Sequence, residues 1–223
     1  MRRSALRVVL LAAALLFADW FAPAPTRAHP YIFITVKAEM LLDEQGRLEA
    51  VRSSMSMNET DSLYIASEYG LDPDGPLSAE QSKFLFELYA KQFAKWSWVT
   101  HVSRAGRAAP LSAPLIGSAR MKDAVLTIDW TVPLKEPLQL SSAPILLQFF
   151  EPTFYAEAIV SEAPTVVGPG AERCDVAFTR FEPTAETKRL RLALSLVPPD
   201  VTPDDPMVGR RFADRTEVRC KDV

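Results

Sequence analysis

Histidine and cysteine are scarce in this chain, with two of each among 223 residues. Two imidazoles leave little for acid–base work near neutral pH. No GxSxG elbow, phosphate-binding P-loop, GxGxxG turn or HExxH helix occurs, and no cysteine has a plausible histidine base. These catalytic frameworks are therefore excluded, and a non-catalytic protein is expected. No apolar run approaches the ~18 to 20 residues that a membrane-spanning helix needs. Internal repeats and low-complexity tracts are also missing.

What is present begins with an export signature. Arg2, Arg3 and Arg7 form a basic start, Val8 to Phe17 an apolar stretch, and Thr26-Arg27-Ala28 a cleavage site. A rival cut after Ala24 would place Pro25 directly after the scissile bond. Residues 1–28 are thus expected to be a cleavable signal peptide and 29–223 a single periplasmic domain. No cysteine follows the apolar stretch, so a lipid-anchored form has no attachment point. Cleavage removes four arginines and one aspartate, leaving 195 residues with 21 basic and 27 acidic groups, a net charge of −6. That length suffices for one domain with a genuine core. The acidic balance argues against nucleic acid and against insertion into anionic membranes.

Cys174 and Cys220 both fall in the exported part, where an oxidising compartment permits a disulfide. A pair of metal thiolates is the alternative, but it would lack CxxC spacing. The bridge is expected to tie the C-terminal strand to an inner one.

Hydropathy patterning predicts a β-rich α+β fold, an antiparallel β-sandwich-like domain with one long and one short helix inserted. Ile32, Ile34, Val36, Ala38, Met40 and Leu42 alternate with Thr35, Lys37 and Glu39 as a half-buried strand. Asp43-Glu44-Gln45-Gly46 then turns the chain into a second arm over Leu48 to Met57. Alternation also predicts strands over 124–132 and over Leu190, Leu192, Leu194 and Leu196, with further strands at 144–150, 153–160 and 173–181. Ser78-Ala79-Glu80-Gln81 is a capping box, and Leu85, Phe86, Tyr89, Phe93 and Trp96 follow at helical spacing to about Trp98. This helix should pack its apolar stripe on a sheet. A shorter helix is predicted from about Asp61 to Tyr69, ended by Gly70. Glu59 and Asp61 are a possible carboxylate pair, but acidic residues at a helix start answer its dipole. Proline-rich loops are expected around 108–118 and 197–209.

Export would make His29 the first residue and place a free amine beside an imidazole. Those two nitrogens can chelate nickel, copper or zinc, and His101 is the one other imidazole able to complete a brace. The plainer reading is a frayed terminal histidine and a satisfied histidine at 101. Pro30 removes the backbone amide that a square-planar amino-terminal site would use.

The segment Ala28-His29-Pro30-Tyr31-Ile32-Phe33-Ile34 resembles the Ala-His-Pro-His opening of the periplasmic domain-of-unknown-function family 1007. Phe149-Phe150-Glu151-Pro152-Thr153-Phe154-Tyr155 is similar to that family's Tyr-Asp-Pro-Thr-Tyr-Tyr segment. Cys174-Asp175-Val176 resembles its central cysteine strand, and Phe212-Ala213-Asp214 through Cys220 its C-terminal close. The resemblance implies the periplasmic component of an ABC-type transport system that accompanies nickel/cobalt-type permeases. It also implies an oxygen ligand at Glu151, where the family usually has aspartate; the plainer reading of Glu151 and Tyr155 is a polar turn between two strands with an aromatic packing beside it. At Tyr31 the family often has a second histidine, and this chain lacks that ligand.

The expected function is therefore a binding or accessory component of transition-metal transport. Its candidate ligands are His29, His101 and Glu151, its metal nickel, cobalt, zinc or copper, and its partner an inner-membrane permease. Two alternatives stand beside it. One is a metal-free structural partner of a permease, held through a sheet edge or the helix end at Trp96 to Trp98. The other is a copper-brace chaperone or enzyme.

Overall fold

The alternation that starts at Ile32 sets the architecture, because a strand with one buried face needs a second layer to bury it against. The computed structural model describes residues 30–221 apart from 115, 142, 199 and 200. The predicted signal segment and His29 lie outside the described residues. β1 (Ile32–Leu42) turns through Asp43 to Gly46 into β2 (Arg47–Met57), as the turn chemistry predicts. The Asp43 carboxylate accepts the Gln45 and Arg47 amides at 3.0 and 2.8 Å, which closes that turn.

Two helices follow. α1 (Glu59–Tyr69) is capped by Asn58, whose side chain accepts the Asp61 amide, and it ends at Gly70 with φ +62°. α2 (Ala79–Gln92) opens with the reciprocal Ser78–Gln81 capping box. Hydroxyls bind both helices to strands: Ser62 Oγ accepts the Leu126 amide at 2.9 Å, and Ser82 Oγ accepts the Ala119 amide at 3.0 Å. Leu85, Tyr89 and Phe93 are buried in the core, and Phe86 and Trp96 pack partly against it. The stripe is thus buried as predicted. The α-helix stops at Gln92, however, and a kinked 3₁₀ segment over Phe93–Val99 leads into the next strand.

The remaining strands are β3 (Thr100–Arg104), β4 (Arg107–Ala108), β5 (Ile116–Lys122), β6 (Val125–Gln139), β7 (Ile145–Phe149), β8 (Ala156–Val160), β9 (Thr165–Val167), β10 (Cys174–Thr179) and β11 (Arg215–Cys220). The first sheet runs β5-β6-β2-β1-β8, with β9 also beside β1, and the second runs β10-β11-β7-β3-β4. Val36, Val51, Ile128 and Trp130 of the first sheet share one core cluster with Val102, Ile145, Leu147 and Val218 of the second. The β-rich sandwich expectation therefore holds. Pairing is mainly antiparallel, but β1 runs parallel to β8 and to β9.

Two sequence expectations need correction. Residues 190–196 do not form a strand, because α3 (Ala185–Leu194) occupies this segment. Leucines at every second position also satisfy an i, i+4 stripe, and Leu192 and Leu196 end up about two-thirds exposed. Thr184 and Thr187 decide between the two periods. The Thr187 amide donates to Thr184 Oγ1 at 3.2 Å and the Thr184 amide to Thr187 Oγ1 at 2.9 Å, a capping box without the usual glutamate or glutamine. Leu194 then joins Phe154, Val208 and Phe212 in a small second core. The other correction concerns the bridge. Cys174 and Cys220 are disulfide-bonded and paired across β10 and β11, with Cα atoms 4.0 Å apart. The C-terminal strand is the inner of the two, and β10 is the sheet edge.

Candidate functional site

The predicted ligands His101 and Glu151 both meet the turn that leaves β7. His101 enters on β3, one residue after Thr100, and stands opposite Gln148 in the β3/β7 register. Its ring lies flat on Phe150, centroids 3.7 Å apart, and Nε2 sits 3.0 Å from the Phe150 carbonyl oxygen. A carbonyl only accepts, so Nε2 carries the hydrogen and Nδ1 keeps its lone pair. Burial lowers the His101 pKa to about 4 against a smaller opposing pull from that carbonyl. The imidazole is therefore neutral at physiological pH and needs no deprotonation to bind a metal.

Glu151 is fully buried. Its carboxylate accepts the Thr153 amide at 3.0 Å, the Thr153 hydroxyl at 2.9 and 3.0 Å, and the Tyr155 amide. These bonds close a turn in which Phe154 adopts φ +65° and its amide donates to the Glu151 carbonyl at 3.1 Å. Two backbone amides and one hydroxyl thus converge on this buried carboxyl group. Its described role is to shape the turn, and a metal would have to compete with those donors.

The start of β1 reaches the same turn. Pro30 is buried. The Tyr31 amide donates to the Tyr155 carbonyl at 2.8 Å, the two tyrosine rings stack at 5.0 Å, and Trp96 lies 6.3 Å from Tyr155. His101, Glu151 and the residue two positions after His29 thus converge on residues 150–155. Among the described residues no three His, Cys, Asp or Glu side chains group closely enough to hold one ion.

Beyond Phe150 the outer face of the second sheet is concave and bounds a cavity of about 990 Å³. His101, Gln148 and Arg215 line its floor, and Arg180, Arg210 and Arg211 reach it from the loops around it, together with Glu182 and Glu217. Arg180 is tied to the carbonyls of Val160 and Ser161 at 2.9 and 2.7 Å, and Arg211 to Glu186. Four arginines around one hollow contrast with the net charge of −3 for the whole chain. The sequence reading missed this set, because its members are scattered over 101–217. One signal was visible: Gln148 is the single polar residue in the run Ile145 to Phe150.

The landmark Phe212-Ala213-Asp214 has a structural account. Buried Asp214 accepts the Val160 amide at 2.9 Å and the Phe181 amide at 2.7 Å, fixing the end of β8 and the segment after β10. No helix among the described residues is long and apolar enough to cross a membrane. A search of curated proteins returns no match to the chain. The profile of the family described as protein of unknown function (DUF1007) matches residues 12–220, essentially the full length, and the chain belongs to that family.

Proposed function

We propose that this protein is an exported, non-catalytic accessory or binding component of a transition-metal transport system, presenting a divalent ion such as nickel, cobalt, zinc or copper to an inner-membrane permease. The transport context rests on the resemblance described above. The observation that carries the metal reading is the convergence at residues 150–155. There Tyr31 is pinned to Tyr155 while neutral His101 is pinned to Phe150. A terminal amine and imidazole at His29 would supply two nitrogens, and His101 Nδ1 a third. Glu151 shapes the turn on which both converge.

Titration of the processed protein, first confirmed by N-terminal analysis to begin at His29, tests the reading. At a metal concentration 100-fold above Kd, linkage predicts about 2.7 kcal/mol of stabilisation. For a chain of this size that raises Tm by roughly 5–10 °C. His29→Ala should abolish the rise and His101→Ala should reduce it. No shift with any of the four ions, or an equal shift in the His29→Ala chain, would instead favour a metal-free partner of a permease. Peroxide-dependent copper redox activity would favour the copper-brace alternative.

A further inference from the structure

We propose that the arginine-rich hollow on the outer face of the second sheet is a binding site for a small oxyanion, a multiply charged carboxylate or phosphate compound, recognised chiefly by Gln148, Arg215 and Arg210. This goes beyond the metal reading and uses different side chains.

The β7/β11 register pairs Leu147 with Thr216, and continuing it by one residue brings Gln148 level with Arg215. Ile145, Leu147 and Phe149 face the core, so Gln148 faces the hollow. Gln148 is only 5 % exposed, its side chain makes no hydrogen bond to any described residue, and its amide is reached from the cavity. A ligand seated in the hollow can therefore take hydrogen bonds from this amide without displacing a bond within the protein. Gln148 thus supplies donors and an acceptor at the floor of the site.

The charge beside it is cationic and partly uncommitted. Arg215 meets Glu217 at 3.2 Å through one guanidinium nitrogen, which leaves further donors for a ligand. Exposed Arg210, on the short turn over Val208–Phe212, makes no ion pair or hydrogen bond through its side chain to any described residue. Glu217 and Glu182 offset part of the charge, but two cationic charges remain in excess. Planar guanidinium groups converging from two elements suit the two oxygens of a carboxylate or phosphate. The volume, about 990 Å³, matches small-molecule pockets.

The test is calorimetric titration of the processed chain with citrate and, separately, with inorganic phosphate, in resin-treated metal-free buffer. Saturable binding of citrate alone identifies carboxylate chemistry, of phosphate alone phosphate chemistry, and of both the shared oxyanion site. Arg210→Ala and Gln148→Leu should each weaken binding at least tenfold, and the Arg210→Ala effect should shrink at high salt, where the arginine contribution is screened. Gln148→Leu should leave the ligand-free Tm unchanged or raised, since it replaces an unpartnered amide with a side chain of similar volume. If that variant misfolds, Arg215→Gln replaces it. Absence of saturable binding by either anion overturns the proposal, as does binding that neither arginine nor glutamine substitution weakens. Binding that persists in the His29→Ala chain supports this site whether or not the metal reading survives.

Discussion

Two residues that pack against the turn after β7 have consequences that differ in sign with the kind of change made. His101 is held neutral, with a pKa near 4 against an ordinary value of 6.5, mainly by burial. The unfolded chain therefore takes up a proton on this residue between about pH 6.5 and 4 while the folded chain does not. Stability attached to His101 is complete above about pH 7 and falls as the pH drops through that window, by up to about 3 kcal/mol. Urea melts of the metal-free protein at pH 7.5 and 4.5 should show a loss smaller by about 2–3 kcal/mol in His101→Phe, which keeps the stack on Phe150 but cannot protonate. The charged groups that face the same cavity, Arg180, Arg210, Arg211, Arg215, Glu182 and Glu217, are present in both chains, so the difference between the two isolates the imidazole. Gly209 bears on the other side of the turn. Its amide donates to the Pro152 carbonyl at 2.8 Å, and a Cβ there would collide with the Glu151 carbonyl oxygen. Gly209→Ala should cost on the order of 1–3 kcal/mol in denaturant melts by pushing residues 208–212 away from Glu151.

At the scale of elements, the attachment of α3 is the most informative. Arg191 donates to both oxygens of Glu157 on β8, at 2.8 and 2.5 Å, and its guanidinium lies 5.0 Å from the Phe154 ring and 5.4 Å from that of Phe212. Those two rings stack at 3.9 Å beneath it. A fork that pairs with a carboxylate and also covers aromatic faces is poorly replaced by an ammonium. Arg191→Ala is therefore expected to cost about 1.5–3 kcal/mol, and Arg191→Lys to recover less than half, as read by thermal melts. This helix also shows where the sequence stopped being legible. Period-two and period-four patterns coincide over Leu190 to Leu196, and the deciding cap used threonine at both ends. By contrast, β1, β2, both earlier helices and the disulfide were legible because each rests on local chemistry: alternation over eleven residues, an Asp-to-Gly turn, a Ser–Gln box, two cysteines. The arginine hollow was not legible, since its residues become neighbours only through sheet order. Ser53 and Trp130 show the same limit. They pair across β2 and β6 in the core, and neither Ser53 Oγ nor Trp130 Nε1 finds a partner among the described residues.

Over the whole molecule, the disulfide closes a loop with a sequence separation of 46 and fastens the edge strand β10 to β11. In the chain-entropy account a loop of that length contributes about 4 kcal/mol, chiefly by restricting the unfolded chain. Reduction, or paired replacement by serine, should lower the denaturation midpoint accordingly. Hydrogen exchange should quicken first in β10, whose one ladder partner among the described residues is β11, while β7 and β3 stay protected.

The parallel pairing of β1 with β8 fixes a timetable for the chain. Ile32 is made near the beginning and its partner Ala156 is made 124 positions later. At ordinary rates of synthesis that gap is on the order of ten seconds. During it the β1–β2 hairpin can form, but the side of β1 destined for β8 and β9 has nothing to pair with. Such long-range closure makes folding slow compared with a helical bundle of equal length. The first sheet therefore cannot be completed until nearly three-quarters of the polypeptide has been made, and its closure belongs to the late steps of folding.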